Sequence, residues 1–166
     1  MWKTLSSKEI FIHPRITLIE DVVELPSEHK TSYLRFKDVG NAATIICKNE
    51  KGEILLQTEY SHPPGRVMYE FPGGAIPHEE DIVTGANLEL MEEAKVFSNS
   101  LQLLGEYYIN NRRSSSKMYV FLGTGIEERA LPGDIEENIE VFWFSEERVE
   151  QMIVDGEINN VHVLAS

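Results

Sequence analysis

The sequence predicts an α/β fold, a sheet layered with helices in one sandwich. Two features carry this. Short runs rich in Ile, Val, Leu and aromatic residues, punctuated by Gly, Pro and Asn, fill most of the chain. Between Asp81 and Phe97 the apolar spacing becomes that of a helix, after which strand-like runs resume. With 166 residues the chain has the length of one ordinary domain, enough to bury a core without disulfides. No repeat or Pro/Gly/Ser-rich linker divides it.

Arg15–Leu25 and Thr31–Phe36, separated by Pro26-Ser27-Glu28, read as N-terminal antiparallel strands. Ala42–Cys47 and Glu53–Gln57 follow, joined by the hairpin loop Asn49-Glu50-Lys51-Gly52. Val67–Phe71 is a short strand ending at Pro72-Gly73-Gly74. From Asp81 to Phe97, Ile82, Ala86, Leu90, Ala94 and Phe97 form one stripe at about 100° per residue, a single helix. Leu101–Ile109 and Lys117–Gly123 are strands flanking the polar loop Asn110–Ser116, and Ile139–Phe144 is another. Ser145 caps a helix whose first turn carries Glu146 and Glu147 and which stops at Asp155-Gly156. Asn159–Ser166 begins a last helix.

The charge is unusual: 15 Lys and Arg against 28 Asp and Glu give −13, a poor surface for binding a nucleic-acid backbone. No apolar run approaches the ~18 residues of a membrane span, and the first residues lack the apolar core of a signal peptide. Cys47 is the single cysteine, so no disulfide framework or cysteine zinc site is expected, and a reducing cytoplasm is the simplest compartment.

Glu89, Glu92 and Glu93 stand at i, i+3 and i+4, facing the same way on a helix. Like charges at this spacing repel, a cost a divalent cation would remove. Hard oxygen donors suit Mg²⁺ or Mn²⁺, which also bind substrate phosphates. On spacing alone a solvated acidic face is the plainer reading. The preceding Phe71-Pro72-Gly73-Gly74 shifts the balance, because paired glycines let backbone groups approach a ligand closely.

These residues resemble the box of the Nudix hydrolases, G-x5-E-x7-R-E-U-x-E-E-x-G-U with U bulky aliphatic. Seven of the nine specified positions match, namely Gly74, Glu80, Glu89, Leu90, Glu92, Glu93 and Val96, whereas Leu88 stands for Arg and Lys95 for Gly. Gly65–Gly74 is similar to the segment before the box in the ADP-ribose pyrophosphatase branch. Ile139–Trp143 with Asp155-Gly156-Glu157-Ile158 is similar to that branch's C-terminal third, so the likeness covers roughly residues 40–164.

The resemblance implies a mixed sheet between helices (residues 41–166), with residues 1–40 as strands contributing to a homodimer. It implies Mg²⁺-dependent hydrolysis of a nucleoside diphosphate linked to another moiety, of ADP-ribose or NDP-sugar type. Glu89 and Glu93 are then metal ligands, Glu92 shares a second ion, and the Gly73 carbonyl contributes. The branch takes help with the attacking water from an acidic loop, here Gly133–Asn138, with Glu137 favoured and Glu136 the alternate. Glu80 supports the loop. Arg66 and Glu70 are candidate substrate contacts, with a strand-end ion pair between them the other reading. Arg112 and Arg113 either grip phosphate bidentately or are a solvated pair. Leu88 cannot form the box arginine's orienting ion pair, and Lys95 suits the helix dipole but not a positive φ. Two other functions stay open: hydrolysis of another nucleotide, such as a dinucleoside polyphosphate or oxidised nucleoside triphosphate, and a weakly active nucleotide-binding module.

Overall fold

The computed structural model describes residues 1–134 and 136–166. The chain forms two compact units, Met1–Gly40 with Tyr108–Lys117, and Asn41–Tyr107 with Met118–Ser166.

In the first unit, β1 (Lys3–His13), β2 (Ile16–Glu24) and β3 (Lys30–Phe36) form an antiparallel sheet in that order. β1 escapes prediction because all eleven residues are exposed, so its sequence carries no in-out alternation. The polar centre of this sheet is Asp21, only 6% exposed. Its carboxylate accepts from Ser7 Oγ at 2.6 Å and Arg35 Nε at 2.6 Å. The Arg35 guanidinium holds the Asp21 carboxyl below its usual range, against the opposing effect of burial. Phe36 N donates to Arg113 O at 2.7 Å, and the Tyr33 hydroxyl donates to Arg112 O at 2.5 Å, tying the arginine loop to β3.

The second unit holds two sheets. One is ordered β7 (Ala75–Pro77), β4 (Gly40–Cys47), β9 (Lys117–Glu128), β8 (Val96–Tyr108), with β4 and β9 parallel. The other is ordered β10 (Glu140–Phe144), β5 (Ile54–Ser61), β6 (Arg66–Glu70), all antiparallel. β5 is the central element. Leu55 enters a core with Ala86, Leu90 and Ala94, while Ile54 and Leu56 enter a core with Val149, Met152 and Val163. Burial on both faces is why its sequence is a continuous apolar run rather than an alternating one. Helices therefore lie on both sides, the expected mixed α/β sandwich. α2 (Glu146–Val154) has Ser145 as its N-cap and ends before Asp155-Gly156; Asn160 caps the short α3 (Val161–Leu164).

The long helix departs from expectation. α1 (Ile82–Glu89) gives way to a wider π segment, Leu90–Ala94, and Lys95 ends it at φ 59° and ψ 30°. Phe97 lies in β8 instead of the helix. Leu88, off the apolar stripe, is half-buried. Cys47 is fully buried, and burial pushes its thiol up to about 12, leaving it unreactive.

Asp21 generates a pH prediction. Its folded pKa lies below the unfolded value, so its contribution is present above the ordinary carboxylate pKa of about 3.9 and is lost as pH falls through the folded value. Asp21→Asn is expected to destabilise by about 1–3 kcal/mol at pH 7. Urea denaturation of both proteins from pH 7 to pH 2.5 checks this, and the difference narrows as the pH falls.

Candidate active site

The site is built on the turn after β6. Ile45 N donates to Pro72 O at 2.9 Å and Ala43 N to Gly74 O at 3.0 Å, fastening the turn to β4. Gly73 between them adopts φ 145°, and a Cβ there would stand 2.1 Å from the Ala43 carbonyl oxygen, so only glycine fits. In this conformation the Gly73 N–H donates to Glu93 Oε2 at 2.8 Å. Gln57 Nε2 donates to the same oxygen at 2.9 Å. Gln57 is 2% exposed, and its Oε1 is buried without a hydrogen-bond partner among the described residues.

The carboxylates come from α1 and the π segment. Asp81 caps α1, accepting from Thr84 N at 2.9 Å. Glu89 is the last residue of α1, and its carboxylate occupies space a Cβ on Gly74 would fill, 2.6 Å from Oε2. Glu92 and Glu93 both lie in the π segment, so its wider turn sets their direction relative to Glu89. Burial raises Glu89 to about 7, reinforced by the charges of Glu92, Glu137 and Glu80. Burial raises Glu93 to about 8, against the Gly73 and Gln57 hydrogen bonds and with the charges of Glu89 and Glu137.

Glu92, Glu93, Lys95, Gly133, Asp134, Glu137 and Ile139 line a cleft of about 220 Å³. Glu137 thus joins the cluster, which its charge on Glu89 and Glu93 also registers. Glu136 is exposed, and its backbone N–H donates to Asp134 Oδ1 at 2.9 Å. Ile135, within the predicted acidic loop, lies outside the described residues.

Among the described residues, no three His, Cys, Asp or Glu side chains close around one point as a ready-made ligand set. Mg²⁺ does not require one: it is held by one or two carboxylates, with waters and substrate oxygens filling its octahedron. The donors are hard oxygens, and the charges acting on Glu89 are all carboxylates. Half-buried carboxyl groups whose ionisation is opposed by burial and neighbouring carboxylates fit a divalent cation. Glu89 and Glu93 are best placed to hold it, with Glu92 beside them. The sequence suggested the Gly73 carbonyl; the structure shows its N–H, which anchors Glu93.

The other predicted residues are distributed differently. Arg66 Nη2 donates to Asn159 Oδ1. Glu70 accepts from Asn160 Nδ2 at 3.3 Å and is raised by burial and by Glu59. Glu70 lies opposite Gln57 in the β5–β6 ladder, on the face of β5 that meets Glu93. Arg112 and Arg113 belong to the first unit, where they line a pocket of about 480 Å³ with Tyr33, Arg35 and Tyr108. There the Arg113 guanidinium lies 5.4 Å from the Tyr33 ring centroid. Sequence reasoning missed Gln57, although a glutamine continuing the apolar run Ile54-Leu55-Leu56 is a signal for a buried polar role.

The NUDIX domain family model matches residues 39–165. The ADP-ribose pyrophosphatase of Bacillus subtilis strain 168 is 25% identical over 160 residues, covering 94% of this chain and 85% of that protein. That of Mycobacterium tuberculosis strain H37Rv is 25% identical over 168 residues, covering 99% and 80%. A crystal structure of an ADP compounds hydrolase superposes with a TM-score of 0.89 at 20% identity, covering 99% of this chain and 89% of that one, a likeness of fold.

The turn geometry predicts a graded response to alanine. Gly73→Ala, facing backbone at 2.1 Å, is expected to cost more than about 3 kcal/mol. Gly65→Ala meets nothing within 4 Å and is strained only by its φ of 68°, costing about 1 kcal/mol. Thermal unfolding of the two variants checks the order.

Proposed function

The chain belongs to the NUDIX domain family and is a hydrolase, and on that premise we propose that it is a pyrophosphohydrolase acting on a nucleoside diphosphate linked to a second moiety, of ADP-ribose or NDP-sugar type, with Mg²⁺ or Mn²⁺. The observation that carries this is Glu93, desolvated among other carboxylates yet locked by Gly73 and Gln57 in one orientation. A carboxylate withdrawn from water is costly to ionise, and its preorientation beside a second carboxylate supports a cation site.

In this reading Glu89 and Glu93 would hold the metal, with Glu92 sharing a second ion, and the chemistry a cation would supply there is neutralisation of charge on the phosphate oxygens. Glu137 orients the attacking water and accepts its proton, with Glu136 the alternate. The water oxygen forms a bond to one phosphorus as the bridging P–O bond breaks, leaving two monophosphate esters. Arg66 and Glu70 are the proposed substrate contacts. Arg112 and Arg113, in their aromatic-lined pocket, are proposed to bind substrate phosphate, as guanidinium groups do.

A homodimer in the cytoplasm belongs to the same reading. It is supported by the exposed β1, where Ile10, Phe11 and Ile12 are 44%, 50% and 71% exposed, and by the unpaired thiol of Cys47. No helix among the described residues is long and apolar enough to cross a membrane.

A panel of ADP-ribose, NDP-sugars, dinucleoside polyphosphates and oxidised nucleoside triphosphates, read as phosphate released by added phosphatase, tests the reaction. Turnover is expected on the first two classes with Mg²⁺ or Mn²⁺, lost with chelator, and reduced at least about 100-fold in Glu93→Gln. Turnover confined to the other nucleotides moves the substrate class, and none above the Glu93→Gln control leaves a binding module. The Arg112→Ala/Arg113→Ala double variant is expected to raise KM about tenfold with kcat nearly kept.

A further inference from the structure

Lys95 occupies the one backbone position in this segment that a glycine would take without strain. Its φ of 59° is left-handed, a conformation that costs a side-chain-bearing residue about 1–2 kcal/mol. Its side chain is engaged on the spot: Nζ donates to the carbonyl of Glu92 and, at 2.9 Å, to that of Leu131. Two backbone bonds flank this bridge, Arg129 N to Lys95 O at 3.0 Å and Leu131 N to Met91 O at 2.9 Å. The last carbonyls of a helical segment lack partners within it. Here the segment leaving β9 and one ammonium supply them. Beyond the bridge, Gly133 packs so closely that a Cβ would lie 2.9 Å from the Glu92 carbonyl oxygen.

The segment fastened in this way leads directly into Asp134 and Glu137, which share a cleft with Glu92, Glu93 and Lys95. We propose that Lys95 is a positioning residue: its ammonium clasps the end of the carboxylate segment to Leu131 and so fixes Glu137 against Glu93. The inference rests on the hydrolase reading. It explains why a strained lysine stands where backbone geometry favours glycine, since glycine would relieve φ but leave the clasp unmade.

Three variants separate backbone from clasp. Lys95→Gly removes strain and clasp, Lys95→Met removes the clasp and keeps the left-handed strain, and Lys95→Arg keeps a donor. Hydrogen–deuterium exchange of the metal-free protein reads the clasp, and steady-state kinetics on the turned-over substrate read its consequence. Lys95→Gly and Lys95→Met are expected to speed exchange across 129–137 and to lower kcat about tenfold with KM nearly unchanged, while thermal stability of Lys95→Gly is kept. Lys95→Arg is expected to recover most of both. Unchanged exchange, or unchanged kcat in Lys95→Gly, overturns the inference. A wild-type chain without turnover overturns the functional reading instead, a result distinct from an active chain indifferent to Lys95.

Discussion

The hydrogen bond from Gly73 N–H to Glu93 is the constraint around which the second unit is arranged. It requires a backbone conformation and a closeness to β4 that exclude every side chain at position 73. It also requires Glu93 to reach the turn from a helical segment packed on the other side of β5. Gln57 completes the grip from β5 itself. Three elements distant in sequence therefore meet at one carboxylate oxygen. The core clusters on the two faces of β5 hold them there, because Leu55 and Gln57 share the face that meets the carboxylate segment.

The same arrangement sets the electrostatics. Burying Glu89 and Glu93 beside Glu92, Glu80 and Glu137 raises the cost of ionising them. In an isolated domain this is destabilising, and folding tolerates it because the apolar packing of Ala86, Leu90 and Ala94 lies just beneath. An acidic chain thus concentrates a small part of its surplus in one half-buried cluster. Asp21 shows the opposite solution: a carboxylate 6% exposed is satisfied by Arg35 and Ser7, and becomes structural.

The π segment illustrates how a motif and a periodicity can disagree. The apolar residues from Ile82 onward keep helical spacing, so a regular helix through Phe97 is the natural expectation. The actual chain widens at Leu90–Ala94 and turns into β8 at Val96. Periodicity cannot register this, since Leu90 and Ala94 remain buried in either geometry. The wider segment places Glu92 and Glu93 and delivers Val96 to the sheet.

The sequence by itself determined the α/β class, most strands, the capped second helix, the Gly-Gly turn and the carboxylate set, because hydrophobic period, turn residues and fixed spacing are local properties. It left β1 unread, since an exposed strand has no burial pattern. It did not contain Gln57's hold on Glu93, the bridge from Lys95 to Leu131, or the membership of Arg112 and Arg113 in a unit apart from the glutamates. Those depend on which side chains meet across long loops. Such meetings are decided by packing of the whole chain, where burial and hydrogen-bond satisfaction outweigh what any window of residues prefers.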